Sequence, residues 1–506
     1  MNNDFKQNRI LVIVGVLLIL ALLAVLYFVP PEAIWIVVIC IAVIIGYFLV
    51  YRVIKKGQIR ERRPKPWHNL VSLLALFLFT LIIFLVLLQY AVPSILTIIL
   101  TVGLVFTILV NLFTVPFAIF HKIRERKQLR QPLTEYPKVS IIVPAYNEEK
   151  VLARTIDTLV EVDYPNKEVI IVDDGSTDRT YDIANSYQET YIKAIKRPNG
   201  GKFAALNTGL VYASGEIIIT VDADSLLARS AVYEIVKGFE NPEVAGVAGN
   251  LKVYNRSKFI TKLQALEYII QIHVIRRAFE NFGSITVASG AFSAFRRSAI
   301  DESGRYDPDF LLEDFDLTIK LLKSHRLLQG NIDAVCYTEA PENLRDVYKQ
   351  RLSWYRGDFQ NFWKHRDAFF NPRFGFMHRL TMPYMLIAMT FVPLTTLIII
   401  ATTIIMMMNG EWMALVIAFA FFIGLQFLQS LLGILIAEDD MKLIVYSPLF
   451  IIGYKQFLDI VMLKALIDII LAGGYYVKRE RVSRIGTIEK AGTYDSGARA
   501  AGENAR

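Results

Sequence analysis

Cysteine is scarce in this chain. Its 506 residues include only 2 cysteines, Cys40 in an apolar run and Cys336 in a more polar region. Their small number and wide separation exclude a disulfide framework and a cysteine-based zinc site. No small-residue cleavage site follows the first apolar run, so we expect that run to be a retained membrane anchor and not a signal peptide.

Charged residues are also few, and their positions along the chain are more informative than the net charge. Charged residues make up 20% of the chain and hydrophobic residues 54%, with a mean hydropathy of +0.40. Such a chain needs a bilayer to solvate part of it. The net charge of +8 is concentrated in short basic runs beside apolar segments, as at 52–65 and 121–130. This is the pattern of cytosolic flanks of membrane helices, so we expect no nucleic-acid partner.

Long apolar runs lie at both ends of the chain. A spanning helix needs roughly 20 apolar residues, and the sequence predicts four before residue 120, at 10–29, 33–53, 70–90 and 95–120. After the polar block, apolar runs cover 380–408, 412–437 and 443–474. The last run is either one span or two helices broken near Gly453. The predicted domains are an N-terminal bundle at 1–120, a cytosolic domain at 121–376, three or four helices at 377–475, and a cytosolic tail at 476–506.

The polar block alternates short apolar runs with helical patterns. Strands are predicted at 139–143, 168–172, 191–196 and 216–221, and Asn147 is predicted to cap the helix after the first of them. This βαβ order predicts an α/β domain with a mostly parallel sheet, inserted between the two helical bundles. Ligands of such sheets bind beyond the carboxyl ends of the strands.

Two acidic motifs fall at those strand ends. Asp222 and Asp224 follow the fourth strand and could hold a divalent cation with a nucleotide diphosphate. A bare Asp-X-Asp is more often a solvated turn, but its position at a strand end favours the metal. Asp173 and Asp174 follow the second strand, where they could contact a base or ribose, or simply form a turn and a helix cap.

Three further motifs carry chemistry. The turn before Lys202 (Asn199-Gly-Gly) could bind phosphate through amides and the ammonium, or be a plain glycine turn. Glu313 and Asp314 could supply a general base, or be the acidic start of a helix. Ser289-Gly290 belongs to a small-residue strand and turn.

The segment from Gln350 to Gly357 combines an indole, Trp354, with two arginines. Tryptophan can stack on a sugar and arginine can bind diphosphate. The structural interpretation is an amphipathic helix on the membrane surface, and we expect both roles to coexist. Five aromatic residues would lie at the interface: Trp354, Tyr355, Phe359, Phe362 and Trp363.

Taken in order, these motifs resemble the processive inverting glycosyltransferases of family two, which include cellulose, hyaluronan, chitin-oligosaccharide and poly-N-acetylglucosamine synthases. The resemblance covers about 137–357. It implies a Rossmann-like GT-A domain and membrane helices that export the polymer. The run after Lys202 (Ala-Ala-Leu-Asn-Thr-Gly-Leu) is most similar to enzymes that polymerise N-acetylglucosamine.

The resemblance also implies roles for individual residues. Asp314 would be the general base, supported by Glu313. The other roles divide between donor and acceptor: Asp173, Asp174, Lys202 and Asp222 for the donor nucleotide, Asp222 and Asp224 for Mg²⁺ or Mn²⁺, and Trp354, Gln350, Ser289 and Gly290 for the acceptor.

The chain departs from the family pattern at two positions. A small residue before Glu-Asp is replaced by Leu312, and the arginine before the tryptophan is replaced by Ser353. Arg351 or Arg356 could substitute at the diphosphate. A tail segment, 484–490, could close over the nucleotide.

The sequence therefore predicts a multi-pass plasma-membrane enzyme, monomeric, with a cytosolic catalytic domain. It would transfer sugar from a UDP-sugar to a β-linked polysaccharide. The alternatives are transfer of one sugar to a polyprenyl phosphate or other lipid, which Ser353 favours, and a transporter with a regulatory nucleotide-binding domain.

Overall fold

The protein is described from a computed structural model. The residues that it describes are 110, 113–122, 124–125, 132–308, 311–410 and 412–474, with no side chains for 412–422 and 425. The first three predicted N-terminal helices, most of the fourth and the tail with its 484–490 segment lie outside these residues. The helices and the tail segment predicted in those parts of the chain therefore stay predictions.

A single mixed sheet organises the residues from 132 to 376. Its strand order is β3-β2-β1-β4-β7-β6-β8-β5. The strands are Val139–Ala145 (β1), Lys167–Asp173 (β2), Ile192–Lys196 (β3), Ile217–Val221 (β4), Ser225–Leu227 (β5), Val244–Val253 (β6), Phe292–Arg296 (β7) and Leu327–Thr338 (β8).

The predicted parallel part of the sheet is confirmed. Strand β1 lies between β2 and β4, β3 lies beside β2, and all three pairings are parallel. Beyond β4 the direction changes, because β7 runs antiparallel to both β4 and β6. Asp173 is the last residue of β2, and Asp222 comes directly after β4, so both lie at the carboxyl edge.

Each face of the sheet is covered by its own apolar core, as period-two alternation requires. Within β1, Ile142 packs on one face, while Ile141 and Val143 pack on the other. Burying each such side chain contributes about 1.5–3 kcal/mol. The core on the Ile142 side continues through Leu352 to Met382, and so joins the sheet to the helices that follow.

The helices between the strands are short, and the longest helices come after the last strand. They are Leu152–Glu161 (α1), Thr180–Asn185 (α2), Lys202–Tyr212 (α3), Ala231–Lys237 (α4), Phe259–Ile269 (α5), Arg277–Glu280 (α6), Arg297–Glu302 (α7), Glu313–Lys323 (α8), Leu344–Lys364 (α9), Met382–Met408 (α10), Trp412–Ala437 (α11), Ser447–Leu449 (α12) and Lys455–Leu471 (α13). Short segments of 3₁₀ or π-helix connect several of them, at Ile270–Arg276, Arg366–Ala368, Pro372–Phe374, Met377–Thr381, Met441–Tyr446 and Phe450–Tyr454.

The predicted helix cap at Asn147 is wrong. Helix α1 begins at Leu152, and no side chain caps it. Asn147 instead has a positive φ of 55°, and its carboxamide oxygen accepts a hydrogen bond of 2.8 Å from the Thr177 N–H. A tertiary bond to the turn after β2 has replaced the local cap.

Two of the α9 residues that were predicted to lie at the membrane surface are buried inside the protein. Phe359 and Phe362 are buried in the core that adjoins the sheet, whereas Trp363 is 49% exposed. The prediction that Phe359 and Phe362 lie at a membrane surface is therefore wrong, because α9 needs those rings to pack against its neighbours.

The last apolar run is broken at Gly453, where the backbone has a φ of 102°. Short turns precede the break, and α13 follows it. Among the described residues, one stretch, Met377–Met408, is long and apolar enough to cross a membrane. The two flanking bundles stay a prediction.

Candidate active site

The turn after β2 is built around the Asp174 carboxylate. This group accepts hydrogen bonds from the N–H groups of Gly200 (3.1 Å) and Gly201 (2.7 Å) and pairs with Arg197. Its neighbour Asp173 is buried and accepts from the Ser176 N–H at 3.3 Å. Both carboxylates thus shape the edge at which α3 begins, and their predicted contact with the nucleotide stays a prediction.

Lys202, the first residue of α3, joins two of the predicted acidic positions. Its Nζ lies 2.7 Å from Oδ1 of Asp222 and 3.0 Å from Oε1 of Glu313. Asp222 comes directly after β4, and Glu313 begins α8. One ammonium therefore holds together three elements that are far apart in the sequence.

Gly290 brings the same lysine close to Asp314. Its N–H donates a hydrogen bond of 2.7 Å to Oδ2 of Asp314. A Cβ at this position would lie 2.9 Å from the Lys202 Nζ and 3.3 Å from Oδ2 of Asp314, so a side chain would force one of them away. The adjacent Ser289 hydroxyl oxygen accepts from the Ala291 N–H at 3.3 Å, and its predicted acceptor contact stays untested.

The pKa of the Asp314 carboxyl is in the range expected of a proton acceptor. Burial, and then the nearby Glu313, raise its pKa to about 6, while Lys202 and the Gly290 N–H act in the opposite direction. A general base works best when its pKa is close to the working pH. Asp314 is therefore better suited to accept a proton at neutral pH than an aspartate with an ordinary pKa.

Asp222 and Asp224 are the two carboxylates predicted to hold a cation. Asp224 is buried, two residues beyond Asp222, in the turn that joins β4 to β5. Among the described residues, no group of three or more His, Cys, Asp or Glu side chains could hold a metal ion. Two carboxylates fit an ion such as Mg²⁺, which commonly takes one or two protein carboxylates and completes its shell with substrate phosphates and water.

The predicted acceptor helix, α9, packs directly on the start of α8. A Cβ at Gly357 would lie 2.5 Å from Cγ of Leu312, and the Asn361 side chain donates a 3.1 Å hydrogen bond to the Leu312 carbonyl. Leu312 immediately precedes Glu313 and Asp314. The helix that carries Gln350 and Trp354 is therefore fixed against the residue next to the proposed base.

The two arginines predicted as diphosphate contacts have other partners. Arg351 is fully buried and its Nη2 lies 2.9 Å from Oε2 of Glu267. Arg356 donates from Nε to Oδ2 of Asp468 at 2.9 Å. Both guanidinium groups hold α9 to neighbouring helices, so this geometry gives no support to a diphosphate role for either.

Two acidic residues close to the predicted site, Asp358 and Glu267, are not among the residues predicted from the sequence. Burial, and then the charge of Asp314, raise the pKa of the Asp358 carboxyl to about 8. Asp358 lies one helical turn after Trp354, and this i, i+4 spacing was the available signal. Glu267 gave no signal in the sequence, because its partner Arg351 is 84 positions away.

The comparisons with known proteins bear on the family of the domain and on its fold. Residues 140–304 match the family described as Glycosyl transferase family 2. The chain is 32% identical over 232 residues to a poly-beta-1,6-N-acetyl-D-glucosamine synthase of Staphylococcus epidermidis, which covers 44% of this chain and 56% of that protein. The corresponding synthase of Staphylococcus aureus (strain COL) is 30% identical over 243 residues, which is 46% of this chain and 59% of the relative. The chain thus matches between half and two thirds of the length of these relatives.

A solved structure shares the fold. The mannosyltransferase PcManGT from Pyrobaculum calidifontis, in complex with GDP-Man and Mn²⁺, superposes with a TM-score of 0.50 at 20% identity. The superposition covers 72% of this chain and 98% of the other, which identifies the Rossmann-like GT-A fold. The chain therefore contains a region, residues 140–304, that matches the family-two glycosyltransferases, and over this region it is similar to poly-beta-1,6-N-acetyl-D-glucosamine synthases.

Proposed function

We propose that the protein transfers N-acetylglucosamine from a UDP-sugar to a growing β-linked polysaccharide, with inversion at the anomeric carbon. The observation that carries this proposal is the contact between the two halves of the site. Asp314 is held by Gly290 beside Lys202, and the helix of Trp354 packs on Leu312 next to it. The choice of sugar is supported by the names of the relatives matched over this domain.

The chemistry follows from the placement of these side chains. Asp314 accepts the proton of an acceptor hydroxyl. The hydroxyl oxygen forms a bond to the anomeric carbon as the bond to the diphosphate breaks, and the UDP departs on the opposite face. Lys202 stabilises the negative charge that develops on the leaving diphosphate. Attack opposite the leaving group converts an α-linked donor into a β-linked product.

A divalent cation would be held by Asp222 and Asp224. When bound, Mg²⁺ or Mn²⁺ would offset the charge of the diphosphate. The buried position of Asp224, and its place two residues after Asp222 in the turn that follows β4, support this assignment. In this proposal Asp173 and Asp174 lie on the nucleotide side, and Trp354 and Gln350 on the acceptor side.

We further propose a multi-pass protein of the plasma membrane with a cytosolic catalytic domain and export of the polymer through its helices. The apolar runs, their basic flanks and the apolar stretch Met377–Met408 support it. Protease protection of the catalytic domain in sealed right-side-out vesicles, with digestion in inverted vesicles, is the expected result. The reverse pattern would contradict this orientation.

The reaction is tested by a donor screen with the full-length protein in detergent or nanodiscs. UDP release is measured with UDP-glucose, UDP-N-acetylglucosamine and UDP-glucuronate, each with Mg²⁺ and with Mn²⁺, and the products are then sized. We expect release from UDP-N-acetylglucosamine and a ladder of long saccharides. No release with any donor would contradict the transferase reaction proposed here.

The second candidate is transfer of a single sugar to a lipid, which the Ser353 departure favours. A product that partitions into organic solvent with one sugar attached would select it over the polymer. The transporter alternative is set aside, because the matched family is one of enzymes.

A further inference from the structure

A single buried guanidinium contacts both α9 residues that are assigned to the acceptor. The side chain of Arg351 is fully buried. Its guanidinium carbon lies 4.2 Å from the ring centroid of Trp354, and its Nη1 donates a hydrogen bond of 3.1 Å to Oε1 of Gln350. The position of the Trp354 ring therefore depends on where this guanidinium is held.

A carboxylate from another helix holds the guanidinium, and a tyrosine hydroxyl in turn holds that carboxylate. Oε2 of Glu267, on α5, accepts from Nη2 of Arg351 at 2.9 Å. The same oxygen accepts a hydrogen bond of 2.7 Å from the hydroxyl of Tyr454. Tyr454 follows the Gly453 break in the last apolar run, so the carboxylate joins α5, α9 and the segment that begins α13.

The arrangement is specific to arginine at this position. A planar guanidinium can stack on an indole and donate to a carboxylate at the same time, whereas a lysine ammonium has no flat face to stack. The ring of Tyr268 lies 5.8 Å from the guanidinium carbon and helps to enclose the charge. Because the guanidinium covers one face of Trp354, a sugar can stack only on the other.

We propose that Glu267 and Tyr454 are positioning residues for the acceptor, acting through Arg351 on the ring of Trp354. This inference rests on the proposed function, since it assumes that Trp354 binds the acceptor sugar. It gives Arg351 a role in acceptor alignment in place of a diphosphate contact. It also makes acceptor binding depend on the segment at the Gly453 break.

The test compares Glu267→Gln, Tyr454→Phe and Arg351→Lys in the full-length protein. Transfer is measured with the donor that the wild-type protein uses, at varied concentrations of donor and of a short oligosaccharide acceptor of the same sugar. We expect Glu267→Gln to raise the acceptor KM about tenfold, with a smaller rise for Tyr454→Phe and the largest for Arg351→Lys. The donor KM and the affinity for UDP should stay within about twofold of wild type.

A matched control removes a different ion pair, the one between Arg256 and Asp439. Arg256 donates from Nη2 to Oδ2 of Asp439 at 3.2 Å, and neither residue lies on α9. Asp439→Asn should therefore lower thermal stability without changing the ratio of acceptor KM to donor KM. Acceptor binding is also measured directly with Glu267→Gln combined with Asp314→Asn, where turnover cannot complicate the result.

The outcomes separate this inference from the proposed function. An active wild type with an unchanged acceptor KM in Glu267→Gln would overturn the positioning role alone, as would equal changes in donor and acceptor KM. If Glu267→Gln does not fold, Tyr454→Phe, which removes one hydroxyl, decides by the same ratio. A wild type that transfers no sugar from any donor would overturn the proposed function, and this inference with it.

Discussion

Gly290 and Asp314 are joined by a hydrogen bond of 2.7 Å from the backbone N–H to the carboxylate Oδ2. The other oxygen, Oδ1, accepts from the N–H of Phe315 at 2.8 Å. Backbone groups on two separate elements thus fix the plane of the carboxylate, and each oxygen keeps a lone pair. A base oriented by backbone, and not by mobile side chains, is already in position before an acceptor arrives.

Asp314→Asn should remove turnover and leave donor binding largely intact. The amide has nearly the same shape but cannot take a proton from the acceptor, so we expect turnover to fall about 10²–10⁴-fold. UDP release and UDP affinity measured on the same preparation check both parts. Asp301→Asn is the control, because Asp301 lies on the exposed end of α7 and pairs with Arg305. Near-normal transfer by Asp314→Asn would remove this residue from the base role.

The rate should depend on pH through the same carboxyl. In the proposed mechanism Asp314 acts only when ionised, and its pKa is raised to about 6 by burial and Glu313. We therefore expect kcat/KM for the acceptor to fall about tenfold per pH unit below about pH 6. The effect on stability has the opposite sign. A raised carboxyl pKa favours the folded state at low pH, and this contribution is lost as pH rises through about 6.

A pH profile of kcat/KM between about pH 5 and 8 checks the first part. Asp314→Glu, which retains a carboxyl, should keep an acid limb if it retains activity. A profile of the wild type that stays flat down to about pH 5 would contradict a base with this pKa. Thermal unfolding of wild type and Asp314→Asn across the same range checks the second part, since the variant should lack this contribution.

Removal of divalent cations should abolish turnover. Without the cation, the carboxylates of Asp222 and Asp224 would face the diphosphate directly, and like charges repel. We expect excess chelator to stop UDP release and added Mg²⁺ or Mn²⁺ to restore it. Asp224→Asn should weaken metal-dependent UDP binding about a hundredfold, or about 2.7 kcal/mol.

Titration calorimetry with UDP, with and without metal, measures this loss. Asp182→Asn, at an exposed position on α2, is the matched control and should bind UDP as wild type does. Full activity in the presence of chelator would show that the site needs no cation.

Ile219→Ala should destabilise the domain without altering the site directly. Ile219 lies at the middle of β4, is fully buried, and is paired with β1 on one side and β7 on the other. Truncating a buried isoleucine costs about 2–5 kcal/mol, because it leaves a cavity. Thermal unfolding in detergent measures the change. Val211→Ala, at a 69% exposed position on α3, should change the midpoint little. Equal effects of both substitutions would contradict this placement of the core.

Local signals in the sequence located the parallel half of the fold and much of the site. Asp222 follows a run of β-branched residues, and Glu313 opens a helix with an acidic first turn; both patterns are visible within about ten residues. The structure brings these two positions together through Lys202. The parallel topology explains why strand-end residues could be grouped in advance.

Long-range partners could not be predicted from the same signals. The antiparallel pairing of β7 with β4 and β6, and the pairing of Glu267 with Arg351, depend on contacts between distant segments. The Asn147 prediction failed for the same reason, since a tertiary hydrogen bond from Thr177 took the place of a local cap. Arg351 looked like a ligand contact because an isolated arginine gives no sign of a buried acidic partner.

The ion pairs of Lys202 affect how the donor binds to the site. Its ammonium already serves as counter-ion to Asp222 and Glu313, so an incoming diphosphate must compete with two carboxylates for it. Exchange at Lys202 is easiest when another positive charge reaches Asp222 at the same moment. We therefore expect donor and cation to bind together, and a donor without its cation to bind weakly.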